Sequence, residues 1–303
     1  MKARIAIAAI ALAGGFVTAC SPAASDQPLV IVTTNILGDV VTEMVGDEAE
    51  VLTLMPPGAD PHSFGISAQT AARMREAELI VANGLGLEEG LASHVAAAEA
   101  DGVPIFFAGD HIDVLDYTDG ESAGQPDSHF WTDPARMIDV VTVLGDTLAD
   151  INGLDPSAVA DHTANYVSEL EALDAEMTSA FEAIPEARRA LVTNHHVFGY
   201  LADRFGFRVI GAVIPSGTTL AAPSASDLRG LVSAIDEAGV TTIFAESSQP
   251  DRLMQVLASE TNRDVTVVEL VTESLTAPDG DAPTYLAMMR VNTARIATGL
   301  DGS

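Results

Sequence analysis

The sequence predicts an α/β fold of two lobes, each with a mainly parallel sheet flanked by helices and joined by one long, rigid helix. Three observations carry this. Short β-branched runs alternate with stretches of helical spacing, the alternation returns after residue 187, and a single long amphipathic segment lies between the two series.

In the first series, Leu29-Val30-Ile31-Val32-Thr33, Val51-Leu52-Thr53-Leu54, Leu79-Ile80-Val81-Ala82 and Ile105-Phe106-Phe107 read as strands. Helical spacing between them, as in Ile36 to Val45 and Ala68 to Ala77, provides the crossovers a parallel sheet requires. The second series is Leu191-Val192-Thr193, Val209 to Val213, Ile243-Phe244-Ala245 and Val265 to Val268. Between them, Asp155 and Pro156 form a helix start, with a capping carboxylate followed by a proline whose missing N–H costs nothing there. Val159, Thr163, Tyr166, Leu170, Leu173, Met177, Phe181 and Ile184 then recur at intervals of three and four, on one face, until Pro185. Such a helix spans ~40 Å, enough to pack along both lobes.

The amino terminus is of another kind. Met1-Lys2-Ala3-Arg4 precedes an apolar run from Ile5 to Val17, too short for the ~20 residues of a membrane-spanning helix and suited to a secretory signal. It ends in Val17-Thr18-Ala19-Cys20, which resembles the lipobox of bacterial lipoproteins and implies lipid on Cys20. The expected organisation is a signal peptide at 1–19, a lipidated tether at 20–28, an N-terminal lobe at 29–154, the connecting helix at 155–185 and a C-terminal lobe at 186–303. The chain is then exported and held on the outer face of the cytoplasmic membrane or in the periplasm. Cys20 is the only cysteine, which excludes an intramolecular disulfide and a thiolate metal site. The net charge of −30 becomes two units more negative once Lys2 and Arg4 are removed. Nucleic acid, which needs a basic face, is not an expected partner.

Four polar side chains stand just after predicted strands or in long loops, where open α/β sheets place their ligands. They are His62 in Pro56-Pro57-Gly58-Ala59-Asp60-Pro61-His62-Ser63-Phe64, His129 in Asp127-Ser128-His129-Phe130-Trp131-Thr132-Asp133-Pro134, His195 after Asn194, and Glu273 after Leu270. Two come from each lobe, so a site made of all four would lie in the crevice between them. Three imidazoles and a carboxylate are a plausible closed tetrahedral shell for Zn²⁺, suited to holding a metal rather than to catalysis.

The motifs Asp60-Pro61-His62-Ser63-Phe64, Ser128 to Pro134, His195-His196-Val197-Phe198-Gly199-Tyr200 and Tyr285 to Asn292, in this order, resemble the zinc and manganese substrate-binding proteins of ABC importers, the metal-binding cluster A-I. The resemblance implies two α/β lobes around a long helix, a metal in the interlobe cleft, and a permease with its ATPase subunit as partners of a monomer. It also implies that the ligands are His62, His129 and His195, with His196 in a place usually filled by a non-ligand. The fourth ligand in the family is commonly an aspartate in a Thr-Asp-Ser segment; here Thr272-Glu273-Ser274 offers a longer carboxylate, with Glu246, Asp279 and Asp281 as alternatives. Glu246 is equally suited to accept an imidazole N–H from behind. Manganese proteins of the family tend to offer two histidines and two carboxylates, so three histidines point to Zn²⁺, with Mn²⁺ as the alternative.

In place of a histidine-rich loop before the second ligand, Asp110-His111-Ile112-Asp113 leads to Asp116, Asp119 and Glu121, an acidic segment read as a solvated loop, with weak metal collection as the sharper hypothesis. No His-Glu-x-x-His pattern supports a secreted zinc hydrolase, and no residue argues for adhesion. The absence of Gly-x-x-x-x-Gly-Lys-[Ser/Thr] assigns ATP hydrolysis to a separate subunit.

Overall fold

The computed structural model describes residues 27–118, 120 and 122–301. The signal segment, Cys20 and most of the tether lie outside the described residues, as do Asp119 and Glu121 of the acidic segment.

The N-terminal sheet holds β1 (Leu29–Val32), β2 (Glu50–Thr53), β3 (Leu79–Ala82) and β4 (Ile105–Phe107) in the order β2-β1-β3-β4, all parallel. β3 is buried throughout and β1 nearly so, as the unbroken aliphatic runs require of central parallel strands. The C-terminal half repeats the plan. β5 (Ala190–Thr193) pairs with β6 (Arg208–Ala212) and β7 (Thr242–Glu246) with β8 (Thr266–Leu270), again in parallel. β5 lies beside β7 without a shared ladder, and the Asn194 side chain accepts the N–H of Glu246 across that junction at 3.2 Å. The first and third strands of each half are therefore neighbours, and the chain reverses its direction of winding between them, leaving a crevice at their carboxyl ends.

The predicted strands are present within a residue or two of their expected bounds. The helical stretch from Ala68 divides into α2 (Ala68–Arg73) and a 3-10 turn (Met74–Glu76), following α1 (Asn35–Val45). α3 (Ala92–Ala100) and α4 (Pro134–Ala149) complete the N-terminal half. The connecting segment is α5 (Pro156–Glu182), capped by Asp155, whose carboxylate accepts the N–H of Ser157 at 2.9 Å. Of its expected stripe, Val159, Tyr166, Leu170, Leu173, Met177, Phe181 and the following Ile184 are buried, and Thr163 is partly so. The C-terminal half adds α6 (Gly199–Phe205), α7 (Ala225–Ala238), α8 (Arg252–Glu260) and α9 (Tyr285–Asp301). α5 packs on α1 and α4 from one half and on α6 and α9 from the other.

One apolar cluster runs through both halves, from Val30 and Val81 through Phe130, Leu173 and Phe181 to Phe244 and Tyr285. Separate clusters serve the outer face of each sheet. α5 is thus one wall of a shared core rather than a bare strut. Polar ties add to it: Tyr285 donates its hydroxyl to the Trp131 carbonyl at 2.7 Å and its N–H to Asp39 at 2.7 Å.

Candidate metal centre

The four side chains singled out in the sequence meet in the crevice. His62, His129, His195 and Glu273 are at most 1 % exposed and each offers a ligating atom within 4.8 Å of the others. Glu273 Oε1 stands 3.0 Å from His62 Nε2, 3.4 Å from His129 Nε2 and 3.3 Å from His195 Nε2, and the last two nitrogens are 3.3 Å apart. Four donors each ~2.0–2.1 Å from one cation in a tetrahedron stand about 3.3 Å from one another. Four of the six edges, at 3.0 to 3.4 Å, match such a tetrahedron, and the two from His62 to the other imidazoles stay within 4.8 Å.

The protonation pattern points the same way. His129 Nδ1 lies 2.8 Å from Asp127 Oδ1 and His195 Nδ1 lies 2.7 Å from Glu246 Oε1, so each ring donates outward and turns an Nε2 lone pair inward. Two lone pairs facing each other at 3.3 Å beside a carboxylate repel unless a cation or a proton lies between them. Without metal the proton takes that role. Burial alone would lower the His129 and His195 values, but hydrogen bonds that His129 donates to Asp127 and Glu273 raise it, and the charges of Glu246 and Glu273 lift His195 well above the ordinary imidazole value. Burial would likewise raise Glu273, and the adjoining imidazoles more than reverse it, holding its carboxyl well below the usual range. Glu273 Oε2 and His62 Nδ1 are buried with no hydrogen-bond partner among the described residues.

Two of the four side chains are positioned by their neighbours in sequence and two by residues far along the chain. Asp60 Oδ1 accepts the His62 N–H, and Asp127 Oδ1 that of His129, both at 2.9 Å. This turn, in which a short carboxylate caps the amide two residues on, is what the Asp-x-His spelling provides. His195 leaves the end of β5, its N–H directed at Glu246 at 3.3 Å. The Glu273 segment is held from both sides: Trp131 Nε1 donates to the Thr272 carbonyl at 2.8 Å, Asn35 accepts the Leu275 N–H at 2.9 Å and donates to Ser274 Oγ at 2.7 Å, and Asn292 brackets Val271 at 2.9 and 2.6 Å. Asn292 closes the last sequence motif, which Tyr285 opens with its own ties to Trp131 and Asp39. In Gly199 the reason is steric, since a Cβ there would stand 2.4 Å from Asp127 Oδ2.

The alternatives named from the sequence go elsewhere. Glu246 occupies the back of His195, in the role of acceptor. His196 lines a neighbouring surface cleft with Asp116, Tyr117 and Asp203. Asp279 and Asp281 are exposed, and Asp281 pairs with Arg295 at 2.5 Å, so neither replaces Glu273 in the cluster. The acidic segment is not a free loop: Tyr117 reaches within 3.1 Å of His129 Nδ1, Ser122 Oγ accepts the Gly217 N–H at 3.0 Å, and a Cβ on Gly120, at φ +70°, would strike the Pro215 carbonyl. It crosses to the C-terminal half and covers the His129 side of the cluster. Asp127 and Tyr117 were missed by sequence reasoning, although the two Asp-x-His spellings carried a signal for the first.

Comparison with known proteins agrees with this geometry. Residues 30–299 match the family described as ZnuA, zinc-uptake complex component A periplasmic. The chain belongs to that family. Among curated relatives, the manganese ABC transporter substrate-binding lipoprotein PsaA of Streptococcus pneumoniae is 26% identical over 287 residues, covering 93% of this chain and 91% of the relative. The metal ABC transporter substrate-binding lipoprotein FimA of Streptococcus parasanguinis is 28% identical over 286 residues, covering 92% and 91%. Among solved structures, the periplasmic zinc-binding protein TroA of Treponema pallidum superposes with a TM-score of 0.84 at 26% identity, covering 90% of this chain and 99% of that one. A cadmium-bound periplasmic metal-binding protein of Candidatus Liberibacter asiaticus follows with 0.80 at 25%, covering 90% and 100%. Members of the family are the extracytoplasmic metal-binding components of ABC importers and not enzymes, and their partners are a permease and its ATPase. No helix among the described residues is long and apolar enough to cross a membrane.

Proposed function

We propose that this chain captures Zn²⁺ with His62, His129, His195 and Glu273 and delivers it to an ABC permease. The observation that carries the reading is the set of three inward Nε2 atoms around one carboxylate oxygen, at spacings near 3.3 Å, with two of the rings braced outward by carboxylates. Imidazole is a borderline donor that favours Zn²⁺ over the harder Mn²⁺, and a single carboxylate neutralises only part of the charge. The cluster is buried to the last per cent, which suits a carried ion shielded from water.

In this reading residues 1–19 are removed on export and Cys20 carries lipid, so that a monomer diffuses beside its permease on the outer face of the membrane. The halves at 29–154 and 186–303 act as the two lobes about the helix at 155–185.

The test is competition of Zn²⁺ and Mn²⁺ for metal-stripped protein, with anomalous scattering at the zinc edge on the loaded crystal. We expect one zinc ion touching the four named side chains, and displacement of Mn²⁺ by equimolar Zn²⁺. Preference for Mn²⁺, the metal named for the PsaA relatives, would overturn the zinc assignment and leave metal import standing. An ion bound away from these four residues would overturn the site.

A further inference from the structure

The two Asp-x-His turns are alike in their backbone and differ in what the carboxylate does next. Asp127 uses the oxygen that accepts the His129 amide to accept the ring Nδ1 as well, at 2.8 Å. Asp60 makes the same amide contact to His62, but its other oxygen gathers Ser63 Oγ at 3.0 Å, Thr219 Oγ1 at 2.6 Å and Gln249 Nε2 at 2.9 Å. Ser63 is local, whereas Thr219 follows β6 and Gln249 follows β7, both in the opposite lobe.

The His62 ring is left without a brace. Its Nδ1 is buried and has no hydrogen-bond partner among the described residues, and the carboxylate of Glu89, 44% exposed, stands 3.8 Å away. Of the three imidazoles it alone depends on its backbone for position. That backbone is held by the Asp60 carboxylate, by the turn in which Ser63 and Phe64 donate to the Asp60 carbonyl at 3.3 and 3.1 Å, and by Gly90, which donates to the His62 carbonyl at 3.3 Å; of these only the carboxylate is tied to the other lobe, through Thr219 and Gln249.

We propose that Asp60, gripped by Thr219 and Gln249, is a positioning residue that holds His62 against the ion only while the lobes are together. The inference rests on the reading of His62 as a metal ligand. When the lobes part, the Asp60 carboxylate loses two of the four hydrogen bonds it accepts, and hydrogen bonds to an ionised acceptor are roughly twice as strong as those between neutral groups. The His62 turn loosens, while His129 and His195 keep their carboxylate braces. His62 is thus the ligand that lets go first. Thr219 and Gln249, which are not among the four ligands, set how long the ion stays.

The experiment is stopped-flow loading and release of Zn²⁺ on the mature chain, followed with a fluorescent chelator. Its variants are Thr219→Val, Gln249→Leu, the pair, and Thr219→Ser. For the pair we expect release to accelerate about tenfold with loading nearly unchanged, since such contacts act mainly on dissociation. Thr219→Ser, which keeps the hydroxyl, should release at the wild-type rate, and melting of the metal-free protein should be unaltered. Release by the pair within about twofold of wild type would overturn the proposal, as would acceleration that tracks a lower melting temperature of the metal-free form. Failure of the underlying reading looks different: His62→Ala would then bind Zn²⁺ as tightly as wild type.

Discussion

Glu246 and Asp127 touch no ion in the proposed site, yet they decide which nitrogen of His195 and His129 faces it. Removing such an acceptor from behind a ligating imidazole costs about 10–100-fold in metal affinity. Glu246→Gln and Asp127→Asn should each weaken Zn²⁺ binding by about that factor in a competition titration while the fold is kept. An affinity equal to wild type in both would mean that burial alone orients the rings. The same carboxylates set the pH dependence. Because His129 and His195 are raised above the ordinary ~6.5, they hold protons in the metal-free protein that the ion must displace. Affinity should therefore begin to fall already above pH 6.5 and keep falling on acidification, with proton release visible by calorimetry in buffers of different ionisation enthalpy. The sign for the metal-free fold is opposite. Raised histidines contribute stability that is complete below ~6.5 and lost as pH rises through their folded values, whereas the lowered Glu273 contributes stability that is lost as pH falls through its own. An affinity constant from pH 5 to pH 8 would contradict the proton-displacement account.

At the scale of elements, α5 determines whether the halves share one core. Leu173 is fully buried on its inward stripe, in the cluster that includes Phe130 of one half and Phe244 of the other. Leu173→Ala should cost about 2–5 kcal/mol in urea unfolding, the ordinary penalty for a large-to-small change in a packed core. A loss below about 1 kcal/mol would indicate that the helix packs loosely there. The loops beyond the strands show why the four clustered side chains lie where they do. Asn35 stands close to the end of β1, whereas Asp60 and Asp127 lie in longer loops, and in each case a short polar side chain converts a backbone position into a fixed side-chain direction.

Over the whole molecule, the two halves answer each other. After the first strand of each half comes a polar group that meets a carboxylate at or beyond the end of the third: Thr33 donates to Glu88 at 2.6 Å in one lobe, and His195 meets Glu246 at 2.7 Å in the other. Only the second pair belongs to the four-residue cluster, through His195, so one plan serves as a structural tie in one lobe and, in the proposed site, as a ligand brace in the other. An ion bound between the halves should stabilise both together. Zn²⁺ at about 1,000 times its dissociation constant should add about 4 kcal/mol to the unfolding free energy. Excess chelator should return the melting curve to that of the metal-free protein; separate melting of the halves, with only one responding to metal, would contradict a shared site.

Strand order along the chain, the stripe of α5 and the four side chains that cluster in the crevice were legible in the residues, because hydrophobic periodicity is a local property and the motifs carry those side chains within short, ordered spellings. Glu246 could be named but not placed, since a carboxylate at a strand end reads alike whether it binds metal, braces a ring or pairs with an arginine. The acidic segment from Asp110 read as solvated because its composition is polar, whereas its contacts with Gly217 and Pro215 depend on a lobe almost a hundred residues away. The sequence by itself thus determined which groups are available and on which local turns they sit. Only the tertiary structure decided which oxygen faces which nitrogen, and that Asp127 serves its own histidine while Asp60 answers to the opposite lobe. Distances of 3 Å between residues far apart in the chain are a property of packing and not of spelling.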